Sequence, residues 1–117
     1  MTPIDLRAAL ASAFSARPPR GCANERALCD HIDRELTDIA RGRSPIEVPR
    51  PFGVFREKRL DDRDRLDFHV QAGIFGPGIA VEVKERGSLS DLTLQLFRYA
   101  EHDAVSGLLV VTTRAPH

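Results

Sequence analysis

Leu66-Asp67-Phe68-His69-Val70-Gln71 and Gly78-Ile79-Ala80-Val81-Glu82-Val83-Lys84 are the two segments around which the rest of the chain arranges itself. In both, apolar and polar residues alternate with a period of two, which sends successive side chains to opposite faces of a strand. The glycine-rich run from Ala72 to Gly78 reads as a turn, so the pair forms a hairpin. Symmetric pairing about its midpoint, between Ile74 and Phe75, puts Asp67 directly opposite Glu82. Like charges so placed destabilise a sheet face unless a countercharge is supplied. Lys84, two positions beyond Glu82 on the same face, supplies part of it.

Upstream, Arg56 to Arg65 is dense in charge and reads as a loop, and residues 46–55 read as an irregular strand near a sheet edge because Pro49 and Pro51 interrupt it. Before that, Leu28, Ile32, Leu36 and Ile39 recur at helical spacing over about 24–41, with Gly42 as a stop signal. A first helix opens at Thr2-Pro3-Ile4-Asp5 and carries a narrow stripe of Leu6, Ala9, Leu10, Ala13 and Phe14. Downstream, Ser88 can cap a third helix running to about His102, with Leu96 and Tyr99 inward. The apolar run Gly107 to Thr113 follows, a strand buried between two layers. Helix, helix, three strands, helix, strand is an α/β order, and its last three elements form a parallel crossover.

With 117 residues, 42% hydrophobic and 29% charged, the chain has the composition of one soluble globular domain spanning 1–117. No apolar run is long enough to span a bilayer, and no secretory or transit signal opens the chain, so the cytoplasm is the expected location and no membrane partner is expected. Cys22 and Cys29 fit neither a disulfide framework nor a zinc site and read as reduced thiols, Cys29 buried. Seventeen basic residues balance seventeen acidic ones, so no bulk positive field points to nucleic acid. Residues 41–65 nevertheless hold eight arginines and lysines against five acids.

Two carboxylates on adjacent strands suit a hard divalent cation, which takes oxygen ligands. Such an ion beside a lysine suits phosphodiester hydrolysis, where charge builds on the attacking and leaving oxygens. The plain alternative is that Asp67, Glu82 and Lys84 are the solvent face of an amphipathic hairpin. Glu25, in the first turn of the second helix on its buried side, allows two readings: a charge complementing the helix dipole, or a member of the site. An exposed position is expected for His69, and His31, His102 and His117 give no argument.

Asp67, the turn and Glu82-Val83-Lys84 resemble the PD-(D/E)XK nuclease pattern, with Leu66 where the name-giving proline stands. The similarity covers about residues 24–113. It implies a restriction-endonuclease-like α-β-β-β-α-β core, to which the helix at about 3–16 is an addition. Glu25 resembles the additional acid of Holliday-junction resolvases, and Gln95 with Tyr99 resembles the Q-x-x-x-Y element of RecB-like nucleases. The resemblance implies a hydrolase acting on DNA with Mg2+ or Mn2+. Asp67, Glu82, the Val83 carbonyl and Glu25 would hold metal, Lys84 would assist the attacking water, and Gln95 would belong to the site. The expected products carry 5′-phosphate and 3′-hydroxyl ends. A non-catalytic module of the same fold, binding nucleic acid or protein, is the rival expectation. A homodimer is expected through the stripe of Leu6, Leu10 and Phe14.

Overall fold

A computed structural model of the chain describes residues 3–16, 24–62, 64–73, 78–84 and 89–112. Thr2, Cys22, Ser88, Thr113, His117 and the turn residues 74–77, all invoked above, lie outside them. The described residues form an α/β fold of three helices and a four-stranded mixed sheet: α1 (Pro3–Ala16), α2 (Glu25–Ala40), β1 (Phe52–Arg59), β2 (Arg65–Ala72), β3 (Gly78–Val83), α3 (Leu89–Ala100) and β4 (Val105–Val111). Strand order follows chain order, with β1–β2 and β2–β3 antiparallel and β3–β4 parallel. The hairpin pairs Phe68 with Val81, His69 with Ala80 and Val70 with Ile79, the register that symmetry about the turn requires.

Alternation along β3 divides the core. Ile79, Val81 and Val83 point to the face covered by α1 and α2, where they meet Leu6, Leu10, Phe14, Leu28, Ile32, Leu36 and Ile39. Ala80 points the other way, toward Tyr99 and Leu96 of α3 and Leu108 of β4. The stripe of α1 is therefore used within the chain: Leu6 is 1% exposed and Leu10 fully buried. That helix packs into the hydrophobic core, so the stripe of Leu6, Leu10 and Phe14 is not free to pair two copies.

Two local expectations are corrected, and a third, a last strand between two layers, is met at the edge of the sheet. Arg56, Glu57, Lys58 and Arg59 belong to β1 rather than to a loop, because they pair with β2 as far as Arg59 opposite Arg65. Arg56 earns its place in a strand by reaching across to α2, with nitrogens 2.9 Å from Asp30 and 3.0 Å from Asp33. The last strand is covered on both faces by α1 and α3, yet it stands at the sheet edge beyond β3. His69 is buried rather than exposed: its Nε2 donates to the Ala104 carbonyl at 2.8 Å, and its Nδ1 is buried without a partner. Gly78 makes room for it, since a Cβ there would stand 2.5 Å from the Val70 carbonyl oxygen and 2.7 Å from the imidazole.

Among the described residues no helix is long and apolar enough to cross a membrane.

Candidate active site

Asp67 sits where the sheet comes apart. The β1–β2 ladder runs from Phe52 opposite Ala72 to Arg56 opposite Phe68 and resumes at Lys58 opposite Leu66, skipping Glu57 and Asp67. Glu57 adopts φ +55, the left-handed region that non-glycine residues rarely enter. On the other side, the β2–β3 ladder has its last pair at Phe68 and Val81. Across this twist β2 changes allegiance: Phe68 packs toward α1 and α2, whereas Leu66 packs toward α3. Backbone amides freed from the ladder need other acceptors.

The two carboxylates provide them. Glu82 Oε1 accepts from the Asp67 amide at 3.1 Å, and Asp67 Oδ2 accepts from the Val83 amide at 2.7 Å. Asp67 and Glu82 are therefore adjacent across the strands, as the sequence register requires. They are not an open solvent face: Asp67 is half-buried and Glu82 buried. Glu82 is 4% exposed, on the side of the sheet that α3 covers. Burial first, and then the charge of Asp67, raise its pKa from 4.5 to about 8; Lys84 opposes the shift. At neutral pH the bare pair thus holds a proton on Glu82, in hydrogen-bonding reach of the Asp67 carboxylate.

Tyr99 closes one side. It is 1% exposed, its hydroxyl donates to the Arg65 carbonyl at 2.9 Å, and Gln95 hydrogen-bonds that hydroxyl. Burial, followed by the charges of Glu82, Asp64 and Asp67, pushes its pKa up to about 12, so the hydroxyl stays a donor at neutral pH. Gln95 and Tyr99 are thus joined by a hydrogen bond at a hydroxyl that the charges of Glu82 and Asp67 reach.

Glu25 is less closely joined. Among the described residues no hydrogen bond or ion pair connects it to Asp67 or Glu82. The link is Cys29, a half-buried thiol on α2 pushed up to about 11 by burial and then by Asp67, with Glu25 adding to the effect. Asn24 Oδ1 accepts the Ala27 amide at 2.9 Å and caps α2, and Glu25 stands in its first turn, where an acid complements the helix dipole.

A second group of ligand atoms lies at the far end of the β1–β2 hairpin. Asp61, Asp64 and His102 bring one donor atom each within 4.8 Å of the others, a cluster able to hold a metal ion. His102 Nε2 is 3.2 Å from Asp64 Oδ2 and 3.4 Å from Asp61 Oδ2. Asp64 is 3% exposed and also receives Arg98 Nε at 3.0 Å. Burial raises the Asp64 pKa, but hydrogen bonds from Arg98 and His102 outweigh it and hold the carboxyl below the ordinary value. An ion-pair network joining the hairpin to α3 accounts for these contacts without a metal. No spacing in the sequence announces this cluster: the hairpin tip and the end of α3 meet only through the fold.

Comparison with known proteins returned no matching family model, no similar curated protein and no similar solved structure.

Proposed function

We propose that the chain is a divalent-cation-dependent phosphodiesterase of the PD-(D/E)XK kind acting on DNA. The single observation that carries this is the facing pair of half-buried Asp67 and buried Glu82 at a break in the sheet, with Lys84 beside it. The four-stranded order, meander first and parallel crossover last, is compatible with the restriction-endonuclease-like core.

The donor set suits Mg2+ or Mn2+. A carboxylate pair with one buried member that retains a proton at neutral pH has an excess of negative charge, and a hard cation can take the proton's place. Asp67, Glu82 and the Val83 carbonyl would hold the ion, with Glu25 the outer candidate. When bound, it supplies charge neutralisation at the phosphoryl oxygens and a more acidic water. The protein's own contributions are separable from that. The amides of Asp67 and Val83 fix the rotamers of the two acids, so the ligands are positioned before any ion arrives. Lys84 presents a cation to a phosphate's negative oxygens, and the Tyr99–Gln95 wall limits water on the α3 side.

A non-catalytic module is favoured by one observation: each carboxylate already gives an oxygen to a backbone amide, as a purely structural pair would. Labelled linear, branched and single-stranded DNA, incubated with Mg2+ or Mn2+, decides between them. Cleavage by the wild type that disappears in Glu82→Gln and Lys84→Ala supports the enzyme. Binding without cleavage, unchanged in both variants, supports the module.

A further inference from the structure

Arg59 and Arg65 are direct partners across the β1–β2 hairpin. Both are exposed, and among the described residues neither has a carboxylate within ion-pair distance. Like charges facing each other on a sheet repel, so this end of the hairpin is held against its own electrostatics. It differs from Arg56, which α2 neutralises twice, and from Arg98, which Asp64 neutralises. Both arginines line a cleft of about 310 Å³ that Gln95, Arg98 and Tyr99 also line. Acids line it too, but Asp64 is paired with Arg98 and Asp61 faces His102, leaving Asp62 as the one remaining countercharge. The cleft adjoins the carboxylate pair through Tyr99, whose hydroxyl is held by the Arg65 carbonyl and on which the charges of Glu82 and Asp67 act.

We propose that Arg59 and Arg65 form an oxyanion clamp, seating a non-scissile phosphate of a nucleic-acid strand beside Asp67 and Glu82. Guanidinium forks suit this ligand because they donate two parallel hydrogen bonds to phosphate oxygens. A phosphate between them also removes the repulsion that the free protein carries. That an oxyanion binds follows from the arginine pair alone; that it belongs to nucleic acid rests on the phosphodiesterase reading.

The test measures binding rather than turnover. A fluorescein-labelled oligonucleotide, single-stranded and duplex, is titrated by anisotropy in chelator over a range of salt. The proteins are the wild type, Arg59→Gln, Arg65→Gln, the double variant, and Arg34→Gln on the exposed surface of α2 as a charge-matched control. Each clamp variant is expected to lose roughly tenfold in affinity, the worth of one charge-assisted contact. The salt slope falls by roughly 0.7–0.9 for each phosphate contact removed, whereas Arg34→Gln stays near wild type. Melting temperatures of the clamp variants are expected to equal or exceed that of the wild type, because repulsion is relieved.

Wild-type affinity in the double variant, or an equal loss in Arg34→Gln, overturns the proposal. So does a clamp variant that melts earlier, since the arginines would then be structural. Calorimetric titration with inorganic pyrophosphate separates the two levels. Pyrophosphate binding lost in the double variant, without oligonucleotide binding by the wild type, upholds the clamp and overturns the nucleic-acid reading. Binding of neither probe overturns the clamp.

Discussion

Replacing Glu82 by glutamine is expected to stabilise the metal-free protein, and to do so in a pH-dependent way. The folded wild type keeps a proton on Glu82 up to about pH 8, whereas the ordinary glutamate loses it near 4.5. Between those values the folded state binds more protons than the unfolded chain, so wild-type stability falls as pH rises through the window and levels off above it. The slope for one such group is ~1.4 kcal/mol per pH unit. Over the window the penalty is on the order of 2–4 kcal/mol, after allowing for relaxation around the site. The ~1 kcal/mol typical of exposed cross-strand pairs is the wrong scale here because Glu82 is buried.

Glutamine removes the titration and keeps the shape. Its Oε1 can still accept the Asp67 amide, and its NH2 can donate to the Asp67 carboxylate where the protonated Glu82 did. In chelator, the variant is therefore expected to match the wild type near pH 5 and exceed it at pH 8, by on the order of 10 °C in Tm for a chain of this size. Urea and thermal unfolding followed by circular dichroism at several pH values measure the difference, in which titrations elsewhere cancel. Parallel stability curves for the two proteins would falsify the buried pair. At pH 8, Mn2+ is expected to raise the wild-type Tm far more than the variant's, because an ion bound only by the folded state stabilises it by mass action.

Four further outcomes are expected. Lys84→Met abolishes DNA cleavage while shifting Tm by less than about 0.5 kcal/mol equivalent, since the half-buried ammonium has no close ion pair with a described residue; cleavage at wild-type rate removes Lys84 from the site. Tyr99→Phe costs about 1–2 kcal/mol in urea unfolding through the lost hydroxyl bond to Arg65, which leaves a buried carbonyl short of a donor. Glu25→Ala lowers cleavage with little change in stability, because Asn24 provides the cap; a large drop in Tm at unchanged activity reverses the assignment. His102→Ala leaves the Mn2+ shift at pH 8 intact, and its loss in that variant would move the cation to the Asp61–Asp64–His102 cluster.

The hairpin was legible because strand alternation and a symmetric turn are local, and together they determine which residues oppose. Asp67 facing Glu82 follows from those two facts alone. The break in the sheet at Asp67 was not legible: it depends on Glu57, a residue whose left-handed backbone no local signal in Arg56-Glu57-Lys58-Arg59 indicates. For the same reason the strand expected over 46–55 lies too far upstream of β1. Charged residues are poor strand formers by propensity, but here Arg56 is satisfied by Asp30 and Asp33 from another element, and Arg59 lies along a solvent-open edge. The burial of His69 required knowing that the Ala104 carbonyl, far along the chain, would meet its Nε2. In α1 the stripe is legible but what covers it is not, since periodicity says that a face is buried without saying against what.

Stability alone gives little reason for the Asp67–Glu82 pair. Two acids on opposed positions, under a helix, weaken the apo fold most strongly at neutral and alkaline pH, and a pair of apolar residues in that layer would pack without titrating. The neighbourhood repeats the pattern, with a non-glycine residue in the left-handed region across from Asp67 and two unneutralised arginines facing each other farther along the same hairpin. Local rules are broken here by a fold that elsewhere obeys them: its α1–α2 core is apolar and closed, and its remaining hairpin register is regular. Violations gathered at one place mark where a chain is shaped for something other than its own stability. The signs of the charges are those the proposed function calls for. Paired carboxylates answer a cation and paired guanidiniums answer an oxyanion. Tyr99, hydrogen-bonded to the Arg65 carbonyl and acted on by the charges of Glu82 and Asp67, links the two groups, as the proposed metal-assisted phosphodiester reaction would use them.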